Sequence, residues 1–511
     1  MMEWLTDMAA KRAELSPHKT AFVDHDTGAE FTFSDVNNRA NRTANALLSL
    51  GLQKGDRIAV LCLNRVDFFV LLFAAQKTGI ILVPLNWRQP EAELEPILVL
   101  SKANLIIHDG EFGETALNLA NALNLPRYAF GSHEADGLET LIGKASSEPV
   151  GDGRIAASAP WYLLFTSGTT GMPKAVIQTA GMAWANMINY SQATGLSGAD
   201  RCVNYLPLFH TAGINLPTLP LFLLDGVSFI LSKFDPDAVV DLLAKGEITS
   251  FFAVPAIYQA LALHPRIDDV DFAKLNSLGC GGAPVPAHLL TDFLDRGATI
   301  CNGMGMTETG PTVFLMDPEN ASQKIGSVGK AQILSEVRLE DANGEIVRGA
   351  GEGELQLRGP GITPGYMDNP EATEAAFTKD GWLKSGDVAR RDEDGYYYIV
   401  DRIKDMYISG GENVYPAEVE KVLTTHPAIL EAVVIGVEDE KWGEVGAAFL
   451  VQRPGTTIDT ACLSAWCRER LAPYKIPKSF QVSNDLPRTA AGKVRKNILK
   501  ETLVQEPETV R

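Results

Sequence analysis

Residues Thr166–Lys174 read Thr-Ser-Gly-Thr-Thr-Gly-Met-Pro-Lys and place hydroxyl groups, glycines and one lysine in a single short loop. An apolar run, Trp161–Phe165, precedes the loop, and a second strand-like run, Ala175–Gln178, follows it. Backbone N–H groups beside glycine, hydroxyl groups and an ammonium group together suit a polyphosphate. The same composition is typical of a flexible surface turn. Taken alone, the loop leaves both interpretations open.

Size and charge narrow the class of protein. A chain of 511 residues is long enough for two or more domains. The formal net charge of -19 argues against nucleic acid as a partner and against broad docking on anionic membranes. Six cysteines lie scattered without CxxC pairs, which predicts a reducing compartment and neither a disulfide framework nor a structural zinc site.

No targeting or membrane-spanning segment is predicted. The N-terminal residues carry acids early and have no apolar core of signal-peptide length. The most apolar stretch, Ile214–Leu231, is interrupted by proline, aspartate and glycine, so we predict that it is buried core rather than a transmembrane helix. We therefore expect a cytoplasmic protein.

The first three hundred residues alternate between strand-like and helix-like patterns. Continuous apolar runs, typical of parallel strands buried on both faces, lie at 57–63, 80–84 and 104–108. A helix is predicted over Val66–Lys77, ended by Gly79, and another is predicted to begin at a Ser34 cap. Residues Gly131–Ala159 are predicted to be an irregular surface connection. Further strands are predicted at Val227–Leu231, Ser250–Val254, Ser277–Cys280 and Thr299–Cys301.

The pattern changes after about residue 325. Asp394-Gly395 between two strand-like runs predicts a hairpin, and the surrounding residues predict a β-rich subdomain. A small pattern of helices and strands begins again at Tyr415. We place the domain boundary at Asp401–Asp405, which gives a large N-terminal domain, 1–402, and a small C-terminal domain, 403–511. The predicted fold class is α/β, with α/β subdomains and the β-rich subdomain in the first domain and an α+β second domain.

Four more stretches are dense in polar or small residues, and each has an ordinary explanation as a turn or a solvated surface. Glycine permits close backbone approach to a flat ligand, an acid near phosphates suits Mg²⁺, and a carboxylate accepts ribose hydroxyls while an arginine binds phosphate. Lys174 leads into a strand-like run rather than a helix, which excludes a Walker-type nucleotide fold. The four stretches are Gly281–Pro284, Asn302–Thr309, Lys384–Asp387 with Asp401–Asp405, and Pro487–Lys493.

Taken in order, the five stretches resemble one family. Thr-Ser-Gly-Thr-Thr-Gly-x-Pro-Lys, Gly-Gly-Ala-Pro, Gly-Met-Thr-Glu, Ser-Gly-Asp, Asp-Arg-x-Lys-Asp and Pro-Arg-Thr-x-x-Gly-Lys are similar to the motifs of the adenylate-forming superfamily. The resemblance spans nearly the whole chain, from Phe31-Thr32-Phe33 to Lys493. Residues Ser409–Pro416 most resemble bacterial fatty-acyl-CoA and 4-coumarate-type CoA ligases.

The resemblance implies an AMP-forming acid–CoA ligase that uses ATP, Mg²⁺ and coenzyme A. Lys493 would bridge the carboxylate and the α-phosphate, Thr307 would contact the α-phosphate, Glu308 would help to hold Mg²⁺, and His210 would lie near the carboxylate end of the acid. The implied nucleotide and CoA sites draw on Thr166, Ser167, Gly168, Thr169, Thr170, Gly171, Lys174, Gly282, Ala283, Pro284, Asn302, Gly303, Met304, Gly305, Met306, Thr307, Asp387, Arg402, Lys404, Ser409, Gly410 and Gly411.

Two features of the family bear on particular residues. The small domain rotates about a hinge, mapped here to Lys404, and this movement would take Lys493 away and bring Ser409, Gly410 and Gly411 to the pantetheine tunnel. Where the family usually has an aromatic residue on adenine, this chain has Met304, whose thioether still packs against a ring. The effect of that exchange on ATP affinity stays open.

The identity of the acid is left open by the sequence. The segment Leu206–Gly213 resembles the pocket-lining segment of the family. The flanking segments offer apolar walls and no obvious aspartate for an amino group, which favours a hydrophobic acid, with a medium- or long-chain fatty acid placed first. The alternatives are a feruloyl- or 4-coumarate-type aryl acid, an acyl-AMP ligase that loads a carrier protein, a luciferase-like oxidative second step, and a catalytically silent acyl- or nucleotide-binding protein. The oligomeric state is open, with a homodimer among the options.

Overall fold

The computed structural model describes residues 3–132, 137–166, 173–283, 285–410, 412–439, 441–488 and 494–505. The strands, in chain order, are β1 (Trp4–Thr6), β2 (Thr20–Asp24), β3 (Glu30–Thr32), β4 (Arg57–Leu61), β5 (Ile81–Pro84), β6 (Leu105–His108), β7 (Arg127–Ala129), β8 (Arg154–Ala156), β9 (Pro160–Thr166), β10 (Lys174–Thr179), β11 (Arg201–Asn204), β12 (Val227–Ile230), β13 (Ser250–Ala253), β14 (Ser277–Cys280), β15 (Cys301–Met304), β16 (Phe314–Leu315), β17 (Lys330–Ala331), β18 (Glu336–Glu340), β19 (Gly351–Arg358), β20 (Leu383–Arg391), β21 (Tyr397–Arg402), β22 (Tyr407–Ser409), β23 (Glu412–Val414), β24 (Ile429–Asp439), β25 (Gly443–Gln452) and β26 (Ser479–Ser483).

The α-helices, in chain order, are α1 (Met8–Leu15), α2 (Phe33–Ser49), α3 (Val66–Thr78), α4 (Glu91–Ser101), α5 (Gly113–Leu123), α6 (Leu138–Lys144), α7 (Ala180–Thr194), α8 (Thr211–Asn215), α9 (Thr218–Leu224), α10 (Pro236–Ala244), α11 (Pro255–Ala262), α12 (Ala287–Asp295), α13 (Pro370–Ala376), α14 (Pro416–Thr424), α15 (Thr460–Arg468) and α16 (Lys496–Gln505). Within the described ranges, no helix combines the length and the apolar character that crossing a membrane requires.

The chain packs into two compact units. The first comprises Met1–Val337 with Leu357–Leu383, and the second comprises Arg338–Gln356 with Lys384–Arg511. Grouping by packing is a different criterion from the functional division into 1–402 and 403–511, which stays a prediction. The α/β fold class predicted from the sequence is confirmed, since helices cover sheets in the first unit and the second mixes helices with antiparallel strands.

One sheet of the first unit has six strands in the order β10-β9-β5-β4-β6-β7. β4 pairs in parallel with β5 and β6, and β9 joins β5 in parallel. β10 is the edge strand and pairs antiparallel with β9. The apolar runs at 57–63, 80–84 and 104–108 form the central strands and are buried. The prediction of parallel strands buried on both faces is therefore confirmed. Helix α3, buried along nearly its whole length, ends at Gly79 with φ +72°, as predicted.

A second sheet has nine strands in the order β17-β16-β15-β14-β13-β11-β12-β2-β3. Its centre is parallel from β15 through β13 and β11 to β2, and both edges are antiparallel. The stretch Ile214–Leu231 supplies α9 and β12 and is buried in these cores, so its prediction as core is confirmed.

Three local predictions were wrong. Helix α2 is capped by Thr32 rather than Ser34, because Thr32 and Asp35 bond each other's backbone N–H groups in a capping box. The predicted irregular connection Gly131–Ala159 contains α6 and β8. Leu138 and Ile142 give α6 its buried side, and β8 pairs with β1 near the N-terminus.

The third wrong prediction is the strand at Thr299–Cys301, which the structure places at Cys301–Met304. Gly303 and Met304 extend the strand because they pair antiparallel with β16. Asn302, Gly303 and Met304 therefore lie in the strand itself, and the loop that follows begins at Gly305.

The second unit contains two mainly antiparallel sheets, although β26 joins β25 in parallel. β18 to β21 form a four-stranded sheet in chain order, and β20 and β21 are the hairpin predicted around Asp394-Gly395, with Gly395 at φ +83°. A five-stranded sheet, β23-β22-β25-β24 with β26 beside β25, packs its apolar side against α14 and α15. The β-rich part and the following helices and strands predicted from Tyr415 onward are confirmed.

All six cysteines are free thiols, and they differ in exposure. Burial raises the pKa of Cys202 and of Cys301 to about 12. Cys462 is exposed on α15, and its hydrogen bond to Asp459 raises the pKa of its thiol. Cys467 lies on the same helix but is buried.

We expect one rapidly reacting thiol in the native protein, because alkylation requires an accessible thiolate. Iodoacetamide labelling at pH 8, read by peptide mass spectrometry, should modify Cys462 first, with a rate that rises about tenfold per pH unit below its pKa. Cys462→Ser should remove the fast phase and Cys467→Ser should preserve it. Comparable labelling rates at Cys462 and Cys467 would contradict the packing of α15.

Candidate active site

The polar stretches of the first unit meet at one edge of the nine-stranded sheet. β11, β13, β14 and β15 are parallel, so their carboxyl ends lie at the same edge. Tyr205–His210 follows β11, Gly281–Ala283 follows β14, and the loop from Gly305 follows β15. Ligands of open α/β sheets bind at this edge. The structure thus brings together three of the segments that the sequence singled out.

Glycines allow the backbones at this edge to approach closely. A β-carbon at Gly281 would lie 2.9 Å from the Gly303 carbonyl oxygen, and one at Gly305 would lie 1.7 Å from that of Pro311. Neither position has room for a side chain. Gly282, at φ +83°, and Ala283 are exposed, while Pro284 lies outside the described residues. The result is a glycine-lined edge open to solvent at Gly282.

The remaining residues assigned to an adenine slot have different environments. Met304, Met306 and Thr307 are half-buried beside that edge. The Asn302 side-chain amide is buried and donates to the Ser327 carbonyl at 3.2 Å, so this amide group stabilises the protein itself.

The hydroxyl- and glycine-rich loop is the connection of a β-hairpin. Thr166 at the end of β9 pairs with Lys174 at the start of β10. Lys174 therefore begins a strand and not a helix, as the sequence predicted. Ser167, Gly168, Thr169, Thr170 and Gly171 lie outside the described residues.

The strand that leaves this loop contacts the Thr307–Thr309 turn. Gln178, buried on β10, donates its side-chain amide to the Thr307 carbonyl at 2.7 Å. This bond connects the loop hairpin of one sheet to the acid-bearing turn of the other. Thr307 and Glu308 are thus held at a fixed place relative to Lys174.

Glu308 is a buried carboxylate, with 9% of its surface exposed. Its Oε1 accepts a hydrogen bond from the Tyr366 phenol at 3.0 Å. Because Mg²⁺ needs few protein oxygens when it keeps water and phosphate ligands, one carboxylate here fits that ion. Among the described residues, no group of three or more acidic, histidine or cysteine side chains forms a metal site.

His210 precedes α8, and its ring lies edge-on to Phe209 with centroids 4.7 Å apart. Asn215, the last residue of α8, anchors this helix. Its side-chain amide donates to the Tyr162 hydroxyl at 2.7 Å and to the Thr211 hydroxyl at 3.0 Å. Burial raises the pKa of Tyr162, so its hydroxyl stays protonated. His210 is therefore held at the start of a firmly anchored helix.

The second unit brings Asp387 and Arg402 together, as the sequence predicted. They stand opposite each other on β20 and β21, and the Arg402 Nε lies 2.5 Å from the Asp387 carboxylate. Asp387 is buried, with 3% of its surface exposed. A carboxylate has several lone pairs, so one that accepts from arginine is also of the chemical type that accepts hydroxyl donors.

The segments predicted to form the hinge and the CoA site also belong to the second unit. Lys404 is exposed in the turn after β21, and Ser409 is buried at the end of β22. Gly410, at φ +62°, donates its N–H to the Trp442 carbonyl at 2.8 Å.

Two predicted residues of this unit, Gly411 and Lys493, lie outside the described residues. Arg488 and Val494, which lie on either side of Lys493 in the chain, form an antiparallel bridge.

Sequence reasoning missed three residues that organise the first unit's site: Gln178, Thr363 and Tyr366. Gln178 belongs to an otherwise apolar run. A polar residue in such a run, facing a neighbouring element, was the available signal. Thr363 and Tyr366 lie between elements, in a stretch whose prolines and glycines indicate only a loop.

Comparisons with known proteins identify the family of the chain. The model of the AMP-binding enzyme family matches residues 9–367, and that of the AMP-binding enzyme C-terminal domain matches residues 418–493. A feruloyl-CoA synthase of Amycolatopsis is 42% identical over 95% of this chain and 96% of its own. The long-chain fatty acid–CoA ligase FadD13 of Mycobacterium tuberculosis is 34% identical over 97% of each chain.

A solved structure has the same fold. The o-succinylbenzoate–CoA synthetase of Bacillus subtilis, in complex with ATP and a magnesium ion, superposes with a TM-score of 0.87 at 30% identity, over 97% of this chain and all of that one. Together with the family match along most of the chain, these relatives confirm the family resemblance found in the sequence. The chain belongs to the AMP-binding enzyme family and is an AMP-forming acyl-CoA synthetase of the adenylate-forming superfamily.

Proposed function

We propose that the protein activates an aryl acid of the hydroxycinnamate type, such as ferulate or 4-coumarate, and transfers the acyl group to coenzyme A. The observation that carries this proposal is the 42% identity to a feruloyl-CoA synthase along 95% of the chain. The fatty acid–CoA ligase FadD13 matches over the same length at 34%. The comparison thus favours the acid that the sequence ranked second over the fatty acid that it ranked first.

The surroundings of His210 are compatible with a flat aromatic acid. Phe209, which packs against the histidine, has its ring centroid 6.4 Å from that of Trp87. Tyr205, at the start of the same segment, is buried and donates its hydroxyl to the Phe252 carbonyl at 3.0 Å. Aromatic side chains stack with an aryl substrate at little entropic cost, whereas a long acyl chain needs an extended apolar channel.

As an AMP-forming acyl-CoA synthetase, the enzyme uses ATP, Mg²⁺ and coenzyme A in two steps. The first step joins the acid to AMP and releases pyrophosphate, and the second replaces AMP with the CoA thiol. The first step brings two anions into contact, with a repulsion of about 4 kcal/mol at about 4 Å and an effective dielectric near 20. Cationic groups have to offset this repulsion and the charge that develops in the transition state.

The residues can be assigned to that requirement. Mg²⁺, held with help from Glu308, would supply positive charge at the phosphate oxygens. Lys174 would hold the pyrophosphate end, and Lys493 would bridge the carboxylate and the α-phosphate. Asp387, kept in place by Arg402, would accept the ribose hydroxyls.

The thiol step needs access to the activated acyl group more than it needs a strong base. We propose that the C-terminal domain, 403–511, rotates about Lys404 after the first step and carries Lys493 away from the acyl-adenylate. The exposure of Lys404 in a turn between two strands supports a hinge there. Ser409, Gly410 and Gly411 would then border the pantetheine.

The substrate is tested with a panel of acids. Purified enzyme with ATP and Mg²⁺ should release pyrophosphate with ferulate, 4-coumarate and cinnamate, and kcat/KM should exceed that for dodecanoate and hexadecanoate by ~10-fold or more, a ratio that pocket shape alone achieves. Thioester formation is followed in parallel with and without CoA.

The other outcomes of the panel are decisive. A preference for the fatty acids would overturn the aryl assignment, and AMP release without a thioester would indicate loading of a carrier protein. Absence of AMP formation from every acid would indicate a catalytically silent binding protein.

The role of Lys493 is tested on the two half-reactions. Lys493→Ala should lower acid-dependent pyrophosphate release by about 100-fold or more, because it removes a cation at the site of developing charge. Thioester formation from supplied feruloyl-adenylate and CoA should stay near the wild-type rate. Lys500→Ala, at an exposed lysine of α16, is the matched control. Equal loss of both half-reactions in Lys493→Ala would refute the assignment.

A further inference from the structure

Residues Thr363–Met367 run along the free edge of β10. The Ile177 N–H donates to the Gly365 carbonyl at 3.1 Å, and the Met367 N–H donates to the Ala175 carbonyl at 2.8 Å. Val176 and Tyr366 face each other as an antiparallel bridge. Because β10 begins at Lys174, this segment is fixed to the strand that leaves the hydroxyl- and glycine-rich loop.

The same segment fixes the acid-bearing turn. The Thr363 N–H donates to the Glu308 carbonyl at 2.8 Å, while the Thr363 hydroxyl donates to the Ile177 carbonyl at 2.7 Å. Thr363 therefore connects β10 to the backbone of Glu308. Main-chain and side-chain donors of one buried residue place that turn beside the strand.

The Tyr366 side chain contacts both candidate charge-bearing residues of the first unit. Its hydroxyl donates to Glu308 Oε1 at 3.0 Å. The ammonium nitrogen of Lys174 lies 5.0 Å from the centroid of its ring, within the range of a cation–π interaction. A phenol is a neutral hydrogen-bond donor, and this geometry directs it at the carboxylate.

We infer that Tyr366 is a positioning residue for adenylation, which orients the Glu308 carboxylate toward the nucleotide-bound cation and holds the Lys174 ammonium at the start of β10. The inference rests on the proposed roles of Glu308 and Lys174. Tyr366 need not touch the substrate, since it acts through these two side chains. A neutral donor suits this task because it fixes the carboxylate without neutralising it, as a guanidinium would.

Two variants separate the two contacts. Tyr366→Phe removes the hydroxyl and keeps the ring beneath Lys174, whereas Tyr366→Leu removes both. Binding is measured without turnover, by electron paramagnetic resonance of Mn²⁺ titrated into enzyme that holds α,β-methylene-ATP. Tyr366→Phe should weaken Mn²⁺ binding by about 10-fold or more, the loss of one hydrogen bond to a charged group.

The nucleotide should respond differently from the metal. We expect Tyr366→Phe to bind the ATP analogue with nearly wild-type affinity at saturating Mn²⁺, because Lys174 keeps its ring contact. Tyr366→Leu should bind the analogue about 2- to 5-fold more weakly, the range of a partly exposed cation–π pair. In turnover assays, excess Mg²⁺ should restore the rate of Tyr366→Phe, and KM for the acid should be unchanged.

Tyr398→Phe is the matched control, since it removes a phenol that donates to the Asp392 carboxylate at 3.4 Å in the second unit. Its Mn²⁺ affinity should equal that of the wild type. Thermal unfolding of all three variants identifies any general loss of structure. The inference is overturned if Tyr366→Phe binds Mn²⁺ like the wild type, or if its weaker binding is matched by an equal loss in Tyr398→Phe.

The metal titration contains no acid and no CoA, so it is independent of the acid panel. A wild-type enzyme that activates no acid would refute the proposed function while the Mn²⁺ titration still decided the role of Tyr366. An unaltered Mn²⁺ affinity in an enzyme active on ferulate would refute the role of Tyr366 and leave the proposed function in place.

Discussion

The backbone hydrogen bonds that β10 forms on its two edges determine the arrangement of the first unit's site. One edge of this strand is joined to β9, which places Lys174 opposite Thr166. The other edge would expose unpaired backbone groups, and Thr363–Met367 satisfies several of them. The residues that satisfy these groups also hold the turn that carries Glu308. Loop and acid are therefore located by the same strand.

The two buried carboxylates assigned to the nucleotide have opposite partners. Glu308 accepts a hydrogen bond from a neutral phenol, whereas Asp387 is paired with the Arg402 guanidinium. A phenol brings no positive charge to the carboxylate that it contacts, so a bound divalent cation can supply that charge. A carboxylate whose charge is already balanced is better suited to neutral hydroxyl groups. The different partners thus agree with the proposed division between magnesium and ribose.

Much of the fold follows from local pattern. The apolar runs of the parallel strands are long and bounded by glycine or proline, and the predicted strand Ser277–Cys280 has the observed bounds. The pattern failed at α6, whose seven residues offer only two buried apolar positions, and at β15, whose extension depends on pairing with β16. Tyr366 escaped notice because its carboxylate partner is 58 residues away in the chain. Contacts of this kind depend on tertiary packing, and the periodicity of the sequence carries no information about them.

The crowding around Gly281, Gly303 and Gly305 has a consequence for engineering this enzyme. A side chain at any of the three would meet backbone or a buried leucine within 3 Å, so diversity introduced there tests folding before it tests substrate choice. In contrast, the segment Leu206–Phe209 ends beside His210, and the Phe209 ring contacts the histidine ring. Libraries that leave the glycines intact and vary this segment would explore new acids on an unaltered nucleotide edge.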